Sequence, residues 1–189
     1  MARNAPTFDA SLPPPYGRGP ASRREIPMSR LDAFLARLNA QKAILEHVAR
    51  EIAAVPGPVL ELGLGNGRTY DHLREILPGR EIFVFDRAVS AHPASIPDGD
   101  HMIVGEIRET LAFCGPRIGK SAAFVHCDLG TGDPTADLAK AHWLAPLVTE
   151  RTAPGGYVGS GIVLDLPEFD ELPLPEAAKA SRYRLYRKR

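Results

Sequence analysis

The sequence predicts an α/β protein built on a doubly wound, mostly parallel sheet with helices on both faces. Three observations carry this expectation. Short runs that are apolar on successive residues recur along the chain, as strands buried on both faces require. Helical segments fall between most of those runs, which is the grammar of parallel strands joined by crossovers. A turn with glycine at alternate positions, Gly63-Leu-Gly-Asn-Gly67, directly follows the first apolar run and precedes a helix.

The elements follow in order. Residues 1–27 contain Pro-Pro-Pro-Tyr-Gly-Arg-Gly-Pro and little apolar periodicity, so they read as a flexible arm ahead of a single domain over residues 28–189. Ser29 is a fitting N-cap for a long helix in which Leu31, Phe34, Leu38, Leu45, Val48 and Ile52 recur at helical spacing up to Pro56-Gly-Pro58. Residues 59–62 form a first strand and 69–77 a helix. Residues 81–85, 101–104 and 122–127 read as the second, third and fourth strands, and 156–164 contain a fifth. The last eight residues alternate Arg with Tyr and Leu, the pattern of an edge strand with charged solvent positions. Little chain remains between the fifth strand and that tail, so the carboxyl-terminal part is expected to be shortened.

Composition narrows the function. The chain has 189 residues, 44% hydrophobic and 24% charged, enough for one well-filled core. Basic and acidic residues balance at 23 each, so no global field argues for nucleic acid or an anionic membrane. No window approaches the roughly 18 uninterrupted apolar residues of a membrane helix, and the amino terminus lacks the order of a signal peptide. A cytoplasmic location follows by elimination. Two cysteines, Cys114 and Cys127, lie in apolar stretches and read as reduced core thiols.

The glycine turn is informative through what it is not. A dinucleotide fingerprint needs glycine where Arg68 stands, and the Gly-Lys-Ser/Thr ending of a phosphate loop is missing. Gly159-Ser160-Gly161 lacks the strand-to-helix setting of a nucleophile elbow. What remains is Glu61-x-Gly63-x-Gly65-x-Gly67, with Asp86 at the end of the second strand. This resembles motif I and the following acidic position of class I S-adenosylmethionine-dependent methyltransferases. The likeness continues through Gly105-Glu106-Ile107 after the third strand, His126-Cys-Asp128-Leu-Gly130 after the fourth, and Ala153-Pro-Gly-Gly-Tyr-Val158 leading into the fifth. It spans residues 57–165, and the chain looks most like small stand-alone bacterial members of unassigned substrate.

The resemblance implies a Rossmann-like methyltransferase sheet and S-adenosyl-L-methionine as cofactor. It carries cofactor contacts onto Glu61, Gly63, Gly65, Asn66, Gly67, Asp86, Arg87, Glu106, Ile107 and Asp128. Within it, Asp86 would accept hydrogen bonds from both ribose hydroxyls, and Glu106 would face the adenine amine. Methyl transfer from a sulfonium needs mainly positioning. A hydroxyl, amine or thiol acceptor would also need a base, for which His126 and Asp128 are the best-placed candidates. A metal site from His126, Asp128 and Asp133 has no supporting spacing, and no metal is expected. The expected function is methylation of a small molecule. The alternative is a non-catalytic protein that binds S-adenosylmethionine or S-adenosylhomocysteine, and a nicotinamide-dependent oxidoreductase is a third reading. With no substrate-covering domain in the sequence, the acceptor site must come from the first helix, the arm, loops or a second subunit of a homo-oligomer.

Overall fold

The computed structural model describes residues 29–189, so the arm expected over residues 1–27 lies outside the described residues. Ser29 opens α1 (Arg30–Glu51) as expected, its hydroxyl accepting the Asp32 N–H and so satisfying one of the helix's unpaired donors. The second half of α1 buries Ala40, Ile44, Leu45 and Val48, while Leu31, Phe34 and Leu35 in its first turns are exposed. The loop that follows is closed by Arg80, whose guanidinium donates to the carbonyls of Ile52, Val55 and Gly57.

From there strands and helices alternate: β1 (Val59–Leu62), α2 (Arg68–Ile76), β2 (Ile82–Asp86), β3 (Met102–Val104), α3 (Ile107–Phe113), α4 (Gly115–Ile118), β4 (Ala122–Cys127), α5 (Pro134–Arg151) and β5 (Thr152–Ser160). Two more strands, β6 (Phe169–Leu172) and β7 (Arg184–Lys188), complete one seven-stranded sheet in the order β3-β2-β1-β4-β5-β7-β6. Neighbours from β3 to β5 pair in parallel, and β7 runs antiparallel to both β5 and β6. β1 and β4 are central and buried at every position, which explains why all their residues but Glu61 and His126 are apolar.

Each face of the sheet has its own core. On one, α3 and α5 pack Ile107, Leu111, Leu144 and Val148 against Leu60, Phe85 and Val125. On the other, α1 and α2 set Ile44, Val48 and Leu73 against Val59, Val84 and Phe124. Both cysteines are free and buried.

The carboxyl-terminal region departs from expectation in one respect. The basic tail forms β7, which is an inner strand and not an edge. Residues 169–172, Phe-Asp-Glu-Leu, pair with it and take the edge position instead. Two acidic residues in so short a segment hide its strand character, and they are the kind of residue an exposed edge carries. The connection from β5 to β6, residues 161–168, contains no helix, and that from β6 to β7 carries the single 3-10 turn Glu176–Ala178.

Candidate active site

The order of strands reverses between β1 and β4, and the carboxyl ends of the strands around this switch point form a cleft, where ligands of open α/β sheets bind. The glycine loop leaves β1 with the Gly63 N–H donating to the Phe85 carbonyl at 2.8 Å. Asp86, at the end of β2, then holds the loop: Oδ2 accepts the N–H groups of Leu64 (2.8 Å) and Gly65 (3.1 Å), and Oδ1 accepts that of Ala88 (3.3 Å). Three backbone donors fix this carboxylate at the cleft wall. Oδ1 receives only the longest of the three bonds and keeps capacity for a ligand's donor.

Two of the glycines answer different needs. Gly65 has φ +52°, and a Cβ built on it would meet nothing within 4 Å, so the backbone opens onto the cleft there. Gly67 has φ +83°, and its Cβ would lie 2.6 Å from Ser95 Cβ and 2.9 Å from the Ser95 carbonyl oxygen, so glycine serves packing of the α2 start.

The cleft has a volume of about 710 Å³. Of the residues expected from the sequence, Gly63, Gly65, Asn66, Asp86, Arg87, Glu106, Ile107 and Asp128 line it. Glu61, Gly67 and His126 do not. Arg37 and Gln41 of α1, Arg68 and Thr69 of α2, and Lys140 and Trp143 of α5 also line it, and the sequence reading missed them. Only Gln41 left a signal, as a polar residue on the otherwise apolar buried face of α1.

Glu61 and His126 are register partners on β1 and β4, so their side chains emerge on the same face of the sheet. Both are fully buried, and His126 Nδ1 donates to Glu61 Oε2 at 2.7 Å. The other Glu61 oxygen accepts the hydroxyl of Thr69, which lines the cleft. Burial disfavours the imidazolium. The Glu61 carboxylate and its hydrogen bond, with Asp128 adding to them, outweigh burial and raise the His126 pKa above the ordinary imidazole value. His126 Nε2 is buried without a hydrogen-bond partner among the described residues. His126 is buried against Glu61 and does not line the cleft, a placement that does not suit its expected role as a base.

Asp128 stands differently. Its Oδ2 accepts from Gln41 Nε2 at 2.7 Å and its Oδ1 from the Tyr183 hydroxyl at 2.8 Å, with Arg37 Nη2 3.5 Å from Oδ2. Burial and the adjacent carboxylate push the Tyr183 phenol far above its usual range, so it stays a donor. Asp133 is spent elsewhere, capping α5 by accepting the N–H groups of Thr135 and Ala136. Among the described residues, no three His, Cys, Asp or Glu side chains form a metal-binding group.

Residues 28–188 match the sequence profile of a family described as S-adenosyl-L-methionine methyltransferase. The chain belongs to the S-adenosyl-L-methionine methyltransferase family. A crystal structure of an S-adenosyl-L-methionine methyltransferase from Silicibacter pomeroyi is 46% identical, covering 85% of this chain and 99% of that one with a TM-score of 0.79. Lower similarity, in the fold alone, extends to further structures. A putative caffeoyl-CoA O-methyltransferase from Staphylococcus aureus is 12% identical, with 83% and 90% of the chains covered and a TM-score of 0.58. A putative methyltransferase from Escherichia coli is 13% identical, with 79% and 85% covered and a TM-score of 0.55. A comparison with curated proteins finds no match.

The cofactor of this methyltransferase is S-adenosyl-L-methionine, and the cleft suits it on its own terms. Asp86 offers a fixed carboxylate to a diol, the open Gly65 permits close backbone approach, and the cleft volume lies in the range of small-ligand sites. Among the described residues, no helix is long and apolar enough to cross a membrane.

Proposed function

We propose that this methyltransferase methylates a small molecule that enters the same cleft beside Asp128, opposite the wall formed by Asp86 and the glycine loop. The observation that carries the reading is that Asp86 and Asp128, at the ends of strands on either side of β1, line one cleft of small-molecule size. On the donor side, Asp86 accepts from the ribose hydroxyls, Gly63, Gly65 and Asn66 let the backbone approach, and Arg87, Glu106 and Ile107 flank the adenine. Arg68 and Thr69, in the first turn of α2, face the amino-acid end. Glu61 and Gly67 act from beneath, the first by holding the Thr69 hydroxyl and the second by seating the loop.

S-adenosyl-L-methionine supplies a sulfonium methyl with a good leaving group. The protein's part is therefore to align the acceptor and exclude water. Asp128, tethered by Gln41 and Tyr183, is the catalytic carboxylate that accepts the acceptor's O–H or N–H and orients its lone pair. His126 acts at one remove, by fixing Glu61.

The test pairs binding with turnover. Calorimetry with S-adenosylhomocysteine is expected to show binding by the wild-type protein, weakened roughly tenfold or more by Asp86→Ala, since charge-assisted hydrogen bonds are lost. Labelled methyl is then expected to pass into the small-metabolite fraction of an extract. Label appearing only in protein or nucleic acid would overturn the small-molecule reading, and binding without any transfer would overturn catalysis.

A further inference from the structure

The whole chain is electrically balanced, yet the cleft is not. Arg37, Arg68, Arg87, Arg108 and Lys140 line it against the carboxylates of Asp86, Glu106 and Asp128, a local excess of two positive charges. The donor adds to that excess, because its sulfonium and ammonium outnumber its single carboxylate.

The cations are not equivalent. Arg87 lies 4.0 Å from Glu106 and Arg68 5.8 Å from the centre of the Phe34 ring, and neither pairs with a residue at the end of β4. Arg37 and Lys140 instead converge on that end from opposite walls. Arg37, from α1, lies 3.5 Å from the Asp128 carboxylate. Lys140, from α5, donates to the carbonyl of Leu129, the next residue along. Asp128 offsets one of these two charges, that of Arg37, whereas Lys140 has no carboxylate within 4.0 Å among the described residues. One turn further along α5, Trp143 presents an indole to the same cleft.

We propose that the acceptor is an anion, a carboxylate or phosphate attached to a flat apolar body, whose charge is held between Arg37 and Lys140 and whose body lies against Trp143. The inference rests on the reading that the acceptor binds beside Asp128. Arg37 contributes a guanidinium fork suited to either oxyanion, and Lys140 a point charge with donors to spare beyond its one carbonyl bond. An anion there also offsets the positive charge that would accumulate once donor and cations share the cleft.

Trp143 is the chain's single tryptophan and so reports on this subsite by its fluorescence. With S-adenosylhomocysteine saturating, benzoate, phenyl phosphate and their neutral counterpart benzamide are titrated in parallel. At low salt, one or both anions are expected to bind about tenfold more tightly than benzamide, as a charge-assisted contact implies. That advantage should shrink in strong salt. The tighter of the two anions identifies the oxyanion. Arg37→Met and Lys140→Met are each expected to remove most of the advantage while leaving S-adenosylhomocysteine affinity within about twofold, and Arg68→Met to do the reverse. Equal binding of all three probes, no binding of either anion, or loss of S-adenosylhomocysteine affinity in both the Arg37 and Lys140 variants would overturn the proposal. Should either variant fail to fold, the anion preference and its salt dependence in the wild-type protein still decide. Failure of the donor reading looks different, as S-adenosylhomocysteine would then not bind the wild-type protein at all.

Discussion

Replacing Gly65 and Gly67 separately with alanine should separate ligand binding from folding within one loop. Gly67→Ala places a residue with a Cβ at φ +83°, which costs about 1–2 kcal/mol in the left-handed region. Its Cβ also falls 2.6 Å from Ser95 Cβ and 2.9 Å from the Ser95 carbonyl. Backbone must shift to relieve this, and overpacking of that kind costs about 1–3 kcal/mol more. Together these predict a loss of about 3 kcal/mol and a melting temperature lower by roughly 6–12 °C for a chain of this length. Gly65→Ala bears only the backbone cost of φ +52°, about 1 kcal/mol or a fall of roughly 2–4 °C, because its Cβ meets no protein atom. That same methyl projects into the cleft, so S-adenosylhomocysteine affinity should fall tenfold or more. Thermal melts with and without S-adenosylhomocysteine, backed by calorimetry, read both quantities. A Gly65→Ala protein that binds as well as wild type, or a Gly67→Ala protein that melts with it, would refute the division of labour.

Two further outcomes follow from the polar groups beneath the cleft. His126→Leu strands the buried Glu61 carboxylate and should cost about 3–5 kcal/mol. Because folding raises the His126 pKa, the pair's contribution is fully present below the ordinary imidazole value of about 6.5 and is lost as pH rises through the folded value. Denaturant melts of the two proteins should therefore differ most in mildly acidic buffer and less at alkaline pH, where the neutral imidazole still donates to Glu61, and a gap that widens with pH would contradict the assignment. Tyr183→Phe removes a buried donor from Asp128 and should cost about 1–2 kcal/mol by the same melts. It should also lower turnover more than S-adenosylhomocysteine affinity, whereas an equal loss of both would make Tyr183 a purely structural residue.

Much of this was legible in the sequence, for identifiable reasons. The parallel strands announce themselves because strands buried on both faces are mostly apolar, with Glu61 and His126 the polar exceptions in β1 and β4. Asp86 is readable because it ends such a run one strand after the glycine turn. The first helix is readable from its periodicity and from Ser29. What escaped depends on how distant segments meet. Arg37 and Gln41 reach the cleft only because α1 crosses the face of β4, a packing that no local pattern encodes. Lys140 and Trp143 look like any polar and aromatic pair on an amphipathic helix. His126 and Asp128 stand two positions apart at one strand end and look equivalent, yet the register of β4 on β1 sets the histidine against Glu61 inside the sheet and leaves the aspartate at the cleft. The edge strand β6 was missed because its two acidic residues suppress the apolar signal that marks inner strands.

The buried bond between Glu61 and His126 constrains how this sequence can change over time. The two positions lie 65 residues apart, yet they form one heritable unit. A lineage that altered either one alone would pass through a protein with a stranded charge or an empty partner at the centre of its sheet. Loss of Glu61 would also release the Thr69 hydroxyl at the edge of the cleft. Among relatives the two residues should therefore be kept together or exchanged together, for a matched apolar pair or another bonded one. The histidine's persistence would then be a mark of inheritance and not of chemistry performed on a substrate.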